Sequence, residues 1–296
     1  MRATCSESLY LSSFWRVAPS QAPMRLLSAL LLLGAFGLQL AGCGQPHQPG
    51  VASGKLRVGY AVEAPYAYVD VDGRVTGEAP EVARLIAQRL GLGEPLWQQM
   101  AFDDLLTRLD QGQIDVIAAG MFITPERARR ALFSSPTFAV RPGLLVLSGN
   151  PLGVSSNITA SPPSRPIAVL RGAVEEEVLR AHHLPLMVVP DAQTGRDAVA
   201  NGVAAALALS APTVHWMAAH DASGATVPLP GAALPGSAAG QGAFAFRRGD
   251  VELCRRWDEA LLTLKRSGDY QTIEERFGFS NEKGLITSTT PCTPAS

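Results

Sequence analysis

Short apolar runs of strand length alternate with amphipathic helical stretches through most of this chain, and that alternation leaves few folds open. A first series reads strand 55–60, helix from Pro80 closed by Gly91, strand 96–100, helix 102–111 and strand 114–119. A second reads strand 167–170, helix 174–182, strand 186–189, helix 193–201, strand 205–209 and helix 212–220. Strands at 143–147 and 242–246 flank the second series, and amphipathic helices at about 250–267 and 269–277 follow. A crossover long enough to hold a helix returns the chain to the same end of the sheet, so such strands pair in parallel. The expected fold class is α/β. Ligand loops in such sheets gather outside the carboxyl ends of the strands.

One segment at that edge carries recognisable chemistry. The run 114–119 stops at Gly120, and Thr124 is suited to cap a helix that opens on Pro125. A strand that turns into a helix leaves backbone N–H groups free, and these attract an anion. Arg127, one turn in, adds a planar fork that fits a carboxylate. The competing reading makes Arg127 half of a surface ion pair. The loop holding Glu63 and Tyr66 and the helix entry at Phe102 fall at the same edge, so separated segments converge on one crevice. Tyr66, Phe102 and Phe122 could instead be core aromatics, but each follows a strand or opens a helix, which favours ligand contact. Glu63 could be a solvated loop acid.

The remaining features bound the possibilities. A net charge of −1 over 296 residues gives no reason to expect nucleic acid as a partner. Arg25, an apolar run at 26–40 and Ala41-Gly42-Cys43 read as a signal segment, and the run is short for a membrane span. Leu40-Ala41-Gly42-Cys43 resembles the bacterial lipobox, which implies lipid on Cys43 and a true start at Met24. Residues 1–43 are then an extension plus a lipoprotein signal peptide, and 44–54, rich in Gly, Pro and Gln, a flexible tether. With Cys5 upstream and Cys43 lipidated, Cys254 and Cys292 remain in an oxidising setting. They could bridge, though two thiols do not establish a bond. Glu175, Glu176 and Glu177 read as a first-turn acidic cluster favoured by the helix dipole. Trp97, Trp216 and Trp257 read as packing residues. His182, His183, His215 and His220 lack metal-ligand spacing, and neither a nucleophile elbow nor a phosphate loop is found, so no cofactor or metal is expected.

Several motifs recur together elsewhere. Leu56-Arg57-Val58-Gly59, Thr76-Gly77-Glu78, Ala119-Gly120-Met121, Ile123-Thr124-Pro125-Glu126-Arg127 and Phe133-Ser134-x-Pro136 resemble, in order and spacing, the family 3 bacterial solute-binding proteins. The resemblance spans roughly residues 55–282. It implies a two-lobe periplasmic-binding-protein-like fold of type II, with lobe 1 at 55–143 plus 243–285, lobe 2 at 148–239 and a tail at 286–296. Two crossing strands would join the lobes, and a ligand would bind between them as a hinge closes. It also implies a monomer without enzymatic activity, exported and lipid-anchored at the cell envelope, that delivers a small solute to an ABC permease in the cytoplasmic membrane.

A narrower resemblance is to the ectoine/hydroxyectoine-binding subgroup. It rests on Tyr60-Ala61-x-Glu63-Ala64-Pro65-Tyr66, Gly77-Glu78-Ala79-Pro80-Glu81, Leu170-x-Gly172-Ala173-Val174-Glu175, Ala211-Pro212-Thr213 and Gly242-Ala243-Phe244-Ala245-Phe246-Arg247. It implies that Glu63 and an aromatic cage of Tyr66, Phe102 and Phe122 hold a cyclic amidinium. Arg127 would take the carboxylate, and the backbone at Gly120 would meet the ligand. Ser210 stands where amino-acid binders usually place an Asp for the α-ammonium, which favours a zwitterion with a smeared-out cation. Val174 stands where a hydroxyl-bearing residue can occur, so ectoine and hydroxyectoine both stay open. A polar amino-acid binder is the alternative. A cyclohexadienyl dehydratase-like enzyme on the same fold is a further one, with Glu63 as the candidate acid/base.

Overall fold

The structure is a computed structural model, described here for residues 55–234, 240–279 and 290–293. Met24, the signal segment, Cys43, the tether 44–54 and most of the tail expected at 286–296 lie outside the described residues.

The chain opens with β1 (Arg57–Tyr60), then a small hairpin of β2 (Tyr68–Val69) and β3 (Val75–Thr76) turning at Asp72-Gly73. α1 (Glu78–Arg89) follows, then β4 (Leu96–Gln99), a 3₁₀ turn at Phe102–Asp104, α2 (Leu105–Asp110) and β5 (Val116–Ile117). α3 (Pro125–Arg130), β6 (Ala131–Phe133) and β7 (Phe138–Val140) lead to β8 (Pro142–Leu147). The second half runs β9 (Ile167–Leu170), α4 (Val174–Ala181), β10 (Leu186–Val189), α5 (Ala192–Ala200), β11 (Ala206–Ser210), α6 (Ala211–Ala219) and β12 (Thr226–Pro228). β13 (Gly240–Gly242), β14 (Ala245–Arg247), α7 (Val251–Leu264) and α8 (Gly268–Phe277) complete it.

Two five-stranded sheets result, ordered β4-β1-β5-β14-β6 and β10-β9-β11-β8-β12. In the first, β4, β1 and β5 are parallel and β14 runs antiparallel to β5 and β6. In the second, β10, β9 and β11 are parallel, with β8 and β12 antiparallel beyond them. The pair β7–β13, antiparallel with Ala139 opposite Gln241, carries the chain between the two sheets in both directions. This is the type II two-lobe arrangement, with an apolar core on each sheet and a further cluster, including Ile117 and Leu207, that draws on both. Val58, Ile86, Phe246 and Trp257 anchor one, and Val146, Val169, Leu179 and Ala206 the other.

Several boundaries differ from expectation for local reasons. α1 begins at Glu78, not Pro80, because Pro within the first turn loses an N–H that has no helical partner anyway. The strand expected at 114–119 ladders at Val116–Ile117, then leaves the sheet toward the Gly120 turn. The strand expected at 242–246 splits into β13 and β14, since the chain changes sheets between them. β8 belongs to the second sheet, so the first crossing lies at Phe138–Val140, ahead of the expected 143–148 junction. Cys254 and Cys292 form a disulfide, and Cys292 N donates to Phe133 O at 2.7 Å, tying part of the tail to lobe 1.

Candidate functional site

The loop after β1 folds back on itself. Glu63 N donates to Ala67 O, and Tyr66 N and Ala67 N both donate to Glu63 O. This turn aims the Glu63 and Tyr66 side chains across the cleft. Tyr66 Oη donates to Ser210 Oγ at 2.9 Å, where Ser210 ends β11 and its side chain accepts from the Thr213 amide as the cap of α6. Thr213 Oγ1 donates to Glu63 Oε1 at 2.8 Å. Lobe 1 thus meets the start of α6 through two buried hydrogen bonds.

Gly120 turns the chain out of the sheet at φ +64°, and a Cβ there would stand 2.5 Å from the Tyr66 ring. Both facts require glycine. Thr124 then caps α3, accepting from Arg127 N, with Pro125 opening the helix as expected. The Arg127 guanidinium is buried. It donates to Phe122 O at 2.9 Å and, across the cleft, to Gly172 O at 2.8 Å, and its Cζ lies 5.3 Å from the Phe102 ring centre. The reading of Arg127 as a surface ion-pair partner is overturned, because the residue is held inside by two carbonyls and a ring face.

Glu63, Tyr66, Phe102, Gly120, Phe122, Arg127, Val174 and Ser210, the residues singled out from sequence, line one space together with Ala173, Glu175 and Leu209. That space is tight, a cavity of about 20 Å³. It abuts a cleft of about 420 Å³ on the far side of Arg127, edged by Asp103, Glu126, Arg130 and Glu177.

Sequence reasoning nominated neither Glu175, which lines the space, nor Thr213, which bonds Glu63 from outside that lining. Glu175 is buried in the site, whereas Glu177 of the same triplet is exposed. The signal was present: Glu175 stands four residues before Leu179, on the helix face that packs inward. Thr213 stood only within the motif Ala211-Pro212-Thr213, because its pairing with Glu63 depends on the approach of the lobes.

Electrostatics set the character of the site. Burial pushes Glu63 up to about 7, partly offset by the Thr213 hydrogen bond. Burial does the same to Glu175, also to about 7, with the Glu63 charge adding to the effect and Arg127 opposing it. Tyr66 is raised well above its ordinary range by burial and by Glu63. Burial works against the Arg127 charge, and Glu175 and Glu177 support it. Two buried acids therefore face one buried guanidinium across aromatic walls. Such a constellation suits a ligand that brings positive charge to Glu63 and Glu175. Among the described residues no group of His, Cys, Asp and Glu could hold a metal ion, and no helix is long and apolar enough to cross a membrane.

Fold and site together define a two-lobe protein with a polar, aromatic-walled space where the lobes meet. The family of bacterial extracellular solute-binding proteins, family 3, matches residues 56–280, and the chain belongs to that family. It resembles the crystal structure of EhuB in complex with hydroxyectoine, with TM-score 0.73 and 30% identity, over 80% of this chain and 93% of that one. The probable amino-acid ABC transporter periplasmic-binding protein y4tE of Sinorhizobium fredii is 27% identical, over 90% of this chain and 88% of its own. The arginine-binding extracellular protein ArtP of Bacillus subtilis is 26% identical, over 86% and 98%. The protein is thus an extracellular solute-binding component of an ABC importer, working with a membrane permease.

Proposed function

We propose that the chain binds ectoine, hydroxyectoine or a similar small zwitterion between its lobes and delivers it to its permease. One observation carries this reading: two acids and three aromatic rings line the same space as a single guanidinium. Arg127 would exchange its bond to Gly172 O for the ligand carboxylate, a charge-assisted pairing roughly twice as strong as a neutral one. Tyr66, Phe102 and Phe122 would face the ring cation, each cation–π contact contributing about 0.5–2 kcal/mol. Ser210 offers no charge to a compact ammonium. The likeness to a hydroxyectoine complex supports the same ligand class. Closure then follows from the ligand's differential affinity for the closed form. The protein acts as a lipid-anchored monomer without catalysis, held through Cys43.

A second reading, a cationic amino acid such as arginine, is favoured by Glu175. Two ionised carboxylates against Arg127 leave net negative charge, which a singly positive ligand would neutralise. Calorimetric titration of the purified protein with ectoine, hydroxyectoine, L-arginine and L-histidine separates the two. Tightest binding of an ectoine supports the first reading, and tightest binding of arginine overturns it. Glu175→Gln sharpens the comparison: it should weaken arginine at least tenfold and an ectoine much less. Turnover of prephenate or arogenate would overturn the non-enzymatic reading.

A further inference from the structure

Trp216 lies on α6 of lobe 2, two helical steps of three from the Ser210 cap and one from Thr213. Sequence alone makes it a packing residue. In the structure it packs against the core of lobe 1. Its ring centre is 5.5 Å from that of Tyr68 in β2 and 6.3 Å from that of Phe277 at the end of α8. His220, which caps the C-terminal end of α6, stacks on the indole at 4.1 Å with an interplanar angle of 17°. Ser210, Thr213 and Trp216 therefore form a stripe along α6, each reaching a lobe 1 residue: Tyr66, Glu63 and Tyr68. The first two contacts belong to the ligand space. Trp216 does not line it, and instead borders a groove between α6 and α8 with His215, Glu275 and Arg276.

The strand pair β7–β13 links the two sheets, and a hinge rotation about it must move α6 relative to β2 and α8. We propose that Trp216 is an affinity-setting residue outside the ligand space: it seats on Tyr68 and Phe277 when the lobes meet and so stabilises the closed arrangement of the lobes. It is a positioning residue, touching no ligand. Losing a contact present only in the closed form weakens every ligand by the same factor, because the penalty falls on closure. It also appears in the dissociation rate more than in the association rate.

The test rests on solute binding by the cleft, not on which solute is bound. Full-length parent, Trp216→Ala, Trp216→Phe, Tyr68→Ala and the Tyr68/Trp216 double variant are titrated with hydroxyectoine and with L-arginine. For whichever saturates the parent, Trp216→Ala should weaken binding roughly five- to twentyfold through faster dissociation, with Trp216→Phe retaining most of the affinity. The double variant should lose little beyond Trp216→Ala, since the two rings share one contact. Affinities within twofold of the parent, with the variants folded, overturn the proposal, as does additivity of the two single losses. If neither probe binds the parent, the cleft reading fails separately. Small-angle scattering then decides: Trp216→Ala must shift the unliganded chain toward longer interatomic distances, and superimposable profiles overturn the proposal.

Discussion

Glu63 and Thr213, 150 residues apart in sequence, share a buried hydrogen bond of 2.8 Å that joins the loop after β1 to the first turn of α6. A carboxyl withdrawn from water is stabilised there by a hydroxyl that arrives only with the opposing lobe. Its proton, its partner and the closure of the cleft are therefore linked.

That linkage has a sign. Glu63 and Glu175 ordinarily titrate near 4.5, and burial raises both to about 7. Between those values the folded chain keeps protons that the unfolded chain has released. Stability of the unliganded protein should therefore fall as pH rises from about 4.5 to about 7. Glu78, equally buried and raised to about 7, acts in the same sense. Thermal unfolding across pH 4–8 measures the slope, and Glu63→Gln should reduce it. A cationic or zwitterionic ligand favours both ionised acids, so binding below pH 7 should release protons. Calorimetry in buffers of differing ionisation enthalpy would detect them, and proton uptake would contradict this account.

Arg127→Lys tests the guanidinium. An ammonium on a flexible stem cannot span Phe122 O and Gly172 O while stacking beside Phe102, as the planar fork does. The variant should fold and bind at least tenfold more weakly. Parent-like affinity would show that neither the fork nor its cross-cleft bond matters to ligand capture.

Gly120→Ala tests the turn. The substitution forces a Cβ to within 2.5 Å of the Tyr66 ring and strains a backbone at φ +64°. Tyr66 must shift, and with it the bond to Ser210 Oγ. A loss of about 1–3 kcal/mol in stability is expected, in the range for residues forced into sparsely populated backbone regions. Weaker ligand binding should accompany it. Denaturant unfolding and titration measure the two effects separately.

Reducing the Cys254–Cys292 bond opens a loop of 38 residues. Chain entropy gives such a crosslink roughly 3–4 kcal/mol, so a reductant or Cys254→Ser should lower the melting temperature by several degrees. Ligand affinity should change little, because Cys254 packs in the lobe 1 core and does not line the ligand space. An unchanged melting temperature would indicate that the tail adds nothing to that core.

Much of this molecule was legible before folding. Apolar runs and helical periods announced the α/β class, since each reflects a short-range pattern of burial. Thr124, Pro125 and Gly120 act through their own backbone and their nearest neighbours, so the turn that presents Arg127 could be read residue by residue. The eight residues nominated for one crevice do line one space. Boundaries were less legible where the chain changes sheets, as at Ala243 and Phe244 between β13 and β14, because nothing local marks which sheet a strand joins.

Tertiary structure alone decided the rest. Glu175 and Glu177 stand on one helix in near-identical local sequence, yet one is buried beside Arg127 and the other meets water. Trp216 was a packing residue on any local reading, and the approach of lobe 1 gives it partners in the other half of the protein. The pairing of Thr213 with Glu63 is likewise set by how two sheets meet about β7–β13. Local patterns fix which side chains face inward on each element. What each inward side chain meets, and therefore its charge state, depends on the surface brought against it.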